Sequence, residues 1–543
     1  MTKVDWTDVT LQMASFKAIL SQYPTLEPAS FLELQPRYQS ACQQFMLPKT
    51  ISKILRICGP DNTLYRSLIQ ADLQRKTGEN IAVVHTETRD LTALFPRIDT
   101  QGKVTPGLLD KANHGYLIIS AQSLMMCPAL WINLKSALQG CDTCPIPWDT
   151  KQVMSDVVTF SYDIKLVIVG DLEQWSELEY FDSDLSSGLT LFTELETELK
   201  ITSQSLTQYL CYLKWLVSEF GYQSLTLDGI EQMCTYGTRE TEDQQYLPLG
   251  LLWHQRLLSI ASQQTEQINK ATIQSVYHQI NDVASYLPQR AINDILDGQV
   301  IIETDGERIG QINGLTVIDV AGHPLPYGEP ARISCVIHFG DGDVSDVERK
   351  AELGGNLHAK GMMIMQAFLS SALKLEEPLP FSASIVFEQS YSEVDGDSAS
   401  LAELCSLVSA LSETPLKQSI AVTGAVDQFG RVQAVGGLND KIEGFYRVCC
   451  HRGLSGEQGV ILPKSNVKHL TLSDDIIDSM KNDEFHIWAV DHVDQAIPLL
   501  MGQPFRTGES HILEKIAQKI DTFARHEPPK TLWQQFKNKL IRY

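Results

Sequence analysis

A chain of 543 residues exceeds one ordinary core and is expected to divide into two or three domains. Hydrophobic residues make up 43% and charged residues 20%, a balance that excludes disordered and fibrous chains. The 67 acidic against 44 basic side chains leave a formal net charge of −23, which repels phosphate backbones and excludes nucleic acid as a general partner.

The opening MTKVDWTDVTLQMASF carries acids and no apolar core before a small-residue cleavage site. No later run approaches the ~20 apolar residues that span a bilayer, so a cytoplasmic location is expected. Residues 1–45 read as a helical lead-in, with Leu11, Met13, Phe16 and Leu20 spaced for one helical face. Residues 46–193 carry the short apolar runs ILRIC, IAVVH, YLIIS and KLVIVG, which suit buried parallel strands alternating with helices in an α/β domain. Eleven cysteines scattered along so long a chain imply reduced thiols. Cys141 and Cys144 form a CxxC, but zinc needs four ligands and no second ligand pair accompanies it, so a loop is expected and no metal.

Residues 194–296 lose the strand pattern, and LTQYLCYLKWLVSEFG and LPLGLLWHQRLLSIASQQTEQ carry helical spacing, which predicts a helical subdomain. Strands return over 297–503 as VIIET, IGQINGLTVIDV and RISCVIHFG, joined by Gly/Asp/Pro turns in an α+β domain. Residues 504–543 read as a tail. Its end interleaves Trp533, Phe536 and Leu540 with Lys530, Lys537, Lys539 and Arg542, a basic amphipathic pattern that suits either a weak membrane-surface contact or the chain's own acidic surface.

Within the α+β region, EVDGDSASLAELCSLVSALSE joins an acid-rich turn to an amphipathic helix, with Leu401, Leu404, Cys405, Val408 and Leu411 on one face. Ser398 therefore stands where a helix begins, and free backbone N–H groups there can hold the oxyanion formed when a serine attacks a carbonyl. A serine needs a base. Lys441, in AVGGLNDKIEGFYRVC, can serve if desolvation lowers its pKa; Gly436 and Gly437 allow close passage, and Ile442, Phe445 and Val448 pack the helix that follows. His358, Glu388 and Glu443 are expected to be turn or packing residues.

The blocks GDSAS, SIAVTGAVDQFGRVQAVGGLNDKIEG, GVILP and HAKGMMIMQAFL together resemble the peptidase domain of the Lon family, whose serine–lysine interval of about forty residues is matched here. The resemblance implies an α+β peptidase fold, peptide-bond hydrolysis through an acyl-enzyme, and a homo-hexameric ring with its sites on an inner chamber. It also implies Ser398 as nucleophile, Lys441 as base, Thr423 orienting that lysine by a hydrogen bond, and Asp397 pairing with it at rest. The alternatives are a non-catalytic scaffold or chaperone ring and a weakly ATP-dependent protease.

The α/β and helical regions resemble the AAA+ module and helical lid fused to such peptidases, in degenerate form. In ICGPDNTLYRSLI Gly59 fits the first glycine of GxxxxGK[ST], but Leu64, Tyr65 and Arg66 stand at the second glycine, the lysine and the metal-binding hydroxyl. At the second nucleotide motif Ser120 and Ala121 replace the acids that hold magnesium and activate water. No cofactor is therefore expected, and substrates should be unfolded proteins, loose termini or peptides.

Overall fold

A computed structural model describes residues 2–87, 91–99, 101–144, 146–147, 159–339, 344–350, 354–373, 381–389, 396–508 and 510–525. The tail residues Lys530, Trp533, Phe536, Lys537, Lys539, Leu540 and Arg542 lie outside these. Contacts group the chain into two units, one of Met1–Ala18, Gln223–Pro248 and Ser259–Tyr543, the other of Ile19–Tyr222 and Leu249–Leu258.

In the second unit, strand β1 (Ile54–Cys58) leads into helix α1 (Thr63–Thr77), followed by β2 (Val83–His85), β3 (Tyr116–Ser120) and β4 (Lys165–Gly170). Helix α2 (Leu172–Phe181), β5 (Thr190–Glu194) and α3 (Ser203–Glu219) come next. The strands form one parallel sheet in the order β2-β3-β4-β1-β5. Continuously apolar strands suit a sheet covered on both faces, and Leu117, Ile119, Leu166 and Ile168 are buried with Trp131 and Trp175. Between Leu11 and Leu20 the expected single helix is instead a 3-10 turn, Met13–Phe16, and a short helix, Lys17–Leu20. Met13 and Leu20 are buried, whereas Leu11 and Phe16 are only partly covered.

In the first unit, helix α4 (Leu227–Glu240) precedes β6 (Gln311–Ile318) and β7 (Tyr327–Phe339), then come α5 (Asn356–Ala372) and β8 (Phe381–Phe387). Helix α6 (Ser400–Ser412), β9 (Ile420–Val422) and the hairpin of β10 (Ala425–Val426) with β11 (Val432–Gln433) follow. Helix α7 (Leu438–Arg452), β12 (Gln458–Pro463) and β13 (Phe485–Val490) complete the frame. An eight-stranded mixed sheet runs Thr2–Lys3, β13, β12, β9, β6, β7, β8, Val344–Asp346. Alternate residues feed two cores: Val422 and Ile461 face the α6 side, while Ala421, Val460 and Leu462 face the α7 side.

Two expectations are corrected. VIIET is not a strand, because side chains take its backbone groups: Gln389 accepts from the Ile301 N–H, Asn313 donates to the Glu303 carbonyl, and Arg452 donates to that of Ile302. Helix α6 is buried nearly all round rather than on one face. The sheet covers one side, and Ile512, Ile516 and Ile520 of a helix at Ile512–Arg525, within the expected tail, enter the same core.

Candidate active site

Helices α6 and α7 join opposite faces of the sheet, yet their first turns meet past the end of β9. The turn that carries Ser398 enters α6 through Gly396, whose φ of 106° lies in the left-handed region that glycine tolerates. It is sewn to the strand beside it: the Ser398 carbonyl accepts from the Gly424 N–H at 2.8 Å, the Gly424 carbonyl accepts from Leu401, and the Ser400 hydroxyl accepts from the Val426 N–H. A side chain at Gly424 would meet Val432, Leu401 and Pro463 at 3.0 to 3.3 Å, so the strand passes the Ser398 turn with no room for one.

Lys441 lies in the first turn of α7 and is only 4% exposed. Its Nζ reaches Ser398 Oγ at 3.0 Å, within the reach that proton transfer needs. Gly437 caps that helix with φ 65°, where a Cβ would strike Val317. Gly328 of β7 and Gly444 of α7 would each overlap the facing backbone if they carried a Cβ, so the lysine helix rests on the sheet at bare-backbone distance. Burial pushes the Lys441 ammonium down to about 8, against the opposing carboxylates of Asp397 and Glu242. Desolvation wins over charge here, and a neutral amine is accessible near physiological pH.

The helix supplies fewer free donors than its position implies. The Ser400 N–H is taken by the Asp397 carbonyl and that of Leu401 by Gly424. The N–H groups of Ser398 and Ala399 have no acceptor among the described residues and remain for an oxyanion. The Thr423 hydroxyl donates to the Ser398 carbonyl at 3.3 Å and not to Lys441, so it holds the backbone of Ser398 instead of the lysine. Asp397 acts on Lys441 through charge, while the ammonium's hydrogen bond goes to Ser398. Gly361 of α5 crosses this turn, where a Cβ would sit 3.3 Å from that of Asp397.

His358 lies buried 3.5 Å from Glu403, Glu388 accepts from the Ser334 hydroxyl, and Glu443 pairs with Arg239. Glu242 escaped the sequence because nothing in its spacing joins it to Lys441. Among the described residues no cluster of three or more metal-ligating side chains occurs. Cys141 and Cys144 are free and exposed, and among the described residues no helix is long and apolar enough to cross a membrane.

The phosphate-loop position holds an internal ion network. Arg66, at the hydroxyl position, bonds to Asp61 and to Glu87 at 2.5 Å, with its side chain 4% and that of Asp61 3% exposed. Ser120, at the position of a magnesium-binding acid, donates to the other oxygen of Asp61 at 2.6 Å, and the Gln122 N–H joins it at 3.2 Å. Tyr65, in place of the lysine, turns its hydroxyl to accept from the Leu251 N–H. A carboxylate of the chain thus occupies the junction of the two motifs and consumes the arginine's charge. Asp61 was open to view in GPDNT but has no counterpart in the motif's pattern.

The description of a Lon protease (S16) C-terminal proteolytic domain matches residues 389–503, and that of a LonB-like AAA domain matches residues 84–195. A Lon protease homolog of Escherichia coli (strain K12) is 38% identical over 97% of this chain and 98% of its own length. One of Haemophilus influenzae is 35% identical over 96% of this chain and 94% of its own. An archaeal Lon protease of Methanocaldococcus jannaschii is 31% identical over 38% of this chain and 30% of its own.

Proposed function

The chain belongs to the Lon protease family, and from that premise we propose that it is a serine endopeptidase cleaving unfolded proteins and peptides through Ser398 and Lys441, without hydrolysing ATP. The carrying observation is the 3.0 Å contact between Lys441 Nζ and Ser398 Oγ. In the neutral form Lys441 accepts the hydroxyl proton as Oγ bonds to the scissile carbonyl carbon. The oxyanion that forms is met by the Ser398 and Ala399 N–H groups. The resulting ammonium protonates the leaving amine, and the C–N bond breaks to leave an ester on Ser398. Water then attacks that ester with Lys441 again as base, releasing the acid and restoring the serine. Thr423 and Asp397 support the pair, the first by holding the Ser398 carbonyl and the second by favouring the charged lysine.

The ATP-independent part rests on the Arg66–Asp61–Ser120 network, in which Asp61 is already engaged by Arg66, Ser120 stands where a magnesium-binding acid would, and the arginine at the loop's hydroxyl position is neutralised. The proposed assembly is a cytoplasmic homo-hexameric ring, as the family resemblance implies. A peptide boronate, which bonds to an activated serine, is expected to protect the chain thermally and to be lost in Ser398→Ala. Absence of a serine adduct by mass spectrometry would favour a scaffold that kept the fold alone.

A further inference from the structure

Lys441 projects from the front of α7 toward Ser398, and residues two apart on a helix point about 200° apart, so Glu443 leaves from the back. There it meets Arg239, in the last turn of α4. The guanidinium spans both carboxylate oxygens, with Nη2 to Oε2 at 3.0 Å. It also donates to the Thr471 carbonyl at 3.2 Å and stands 3.5 Å from Asp440. Glu443 takes a further N–H from Ser473 at 3.2 Å. Burial alone would push the Glu443 carboxyl up, but Arg239 outweighs it and leaves it below the ordinary value. Asp440 shows the reverse, raised to about 6 chiefly by burial.

The same side of α4 is tied down again just beyond its end. The Gln244 amide donates to the Asp8 and Leu470 carbonyls, at 2.8 Å and 2.5 Å, and Lys468 pairs with Asp243 at 3.0 Å. On the other side Gly328 and Gly444 let α7 rest on β7 without an intervening side chain. Buried Leu438, Ile442, Phe445 and Cys449 pack α7 against the sheet, and the bidentate pair adds a directional polar tie at its back.

We infer that Arg239 is a positioning residue for the proposed reaction: by gripping Glu443 from behind, it fixes the rotation of the helix that presents Lys441 to Ser398. The inference rests on the Ser398–Lys441 reading. It gives a segment far upstream of the peptidase motifs a part in assembling their site, with no contact to substrate.

The test compares the full-length wild type, Ser398→Ala, Arg239→Met and Arg239→Lys on an unstructured protein and a fluorogenic peptide, with thermal melts beside them. Loss of a position-setting contact acts on kcat, since substrate binding does not use the lysine. Arg239→Met is expected to lower kcat about tenfold with KM within about twofold. Arg239→Lys, which keeps the charge but not the fork, is expected to recover part of that loss and to remain about threefold below wild type. Where Arg239→Met is unfolded at the assay temperature, the lysine variant decides. Wild-type kcat in the folded variant, or a loss carried entirely by KM, overturns the inference. A wild type that cleaves no faster than Ser398→Ala overturns the dyad reading and the inference with it, whereas cleavage by wild type and not by Ser398→Ala keeps the two outcomes apart.

Discussion

Desolvation brings the Lys441 ammonium down to about 8, and the carboxylates of Asp397 and Glu242 pull the other way. In the proposed mechanism the neutral amine is the base, so kcat/KM for a peptide is expected to rise with pH and level off above about 8. Only about a tenth of the lysine is free at pH 7 on that footing. Asp397→Asn removes a charge that favours the ammonium, so the rising limb should move to lower pH and turnover at pH 7 should increase. A limb that stays in place, or moves up, would mean that Asp397 does not act on the lysine. The pairing of Ser398 with Lys441 was legible through the ordered blocks that resemble the Lon peptidase domain, because a serine before a helix and a lysine one turn into another are each commonplace alone. The target of the Thr423 hydroxyl was not, since it depends on which backbone lies beside β9. Nor was the Arg239–Glu443 pair, whose members stand 204 residues apart.

At the scale of elements, the phosphate-loop turn has become a structural part. Asp61 joins the start of α1 to the end of β3 through Arg66 and Ser120, and burying one charge after deleting its partner is costly. Asp61→Ala is expected to destabilise its unit by about 3 kcal/mol in urea melts, the lower end for a broken buried pair, because Glu87, half exposed, still offers Arg66 one contact. A change under about 0.5 kcal/mol, the scale of ordinary surface substitutions, would mean the network contributes nothing. Strands β1, β3 and β4 were legible to their ends because parallel strands covered on both faces must be continuously apolar. VIIET carries the same apolar signal, yet its carbonyls and N–H groups go to Asn313, Arg452 and Gln389, contacts that no local pattern encodes. Helix α6 misled in the other direction. Its apolar pattern marked one face, but Ser406, Ser409 and Ser412 are buried as well, with their hydroxyls on carbonyls of their own helix or of the turn that ends it.

For the whole molecule, the state of the phosphate-loop region and the proposed Ser398–Lys441 pair together bear on energy supply. With Tyr65 turned to Leu251 and Arg66 engaged by carboxylates, calorimetry should detect no micromolar ATP binding, and cleavage should proceed equally with and without ATP and magnesium. Stimulation by ATP that a non-hydrolysable analogue abolishes would restore a motor, while a weak, equal effect of ATP, ADP and other polyanions would reflect charge alone. The order of the two modules along the chain was visible in the switch from strand to helix periodicity and back. The seating of Thr2–Lys3 at the edge of the peptidase sheet was not, because an edge strand is held by backbone bonds that two residues of any kind can make. The most direct measurement is cleavage of an unfolded protein by the purified full-length chain, without nucleotide, beside Ser398→Ala of the same melting temperature. Steady proteolysis by the first and none by the second is the expected result; equal rates in the two, whether zero or not, would contradict a peptidase built on Ser398 and Lys441.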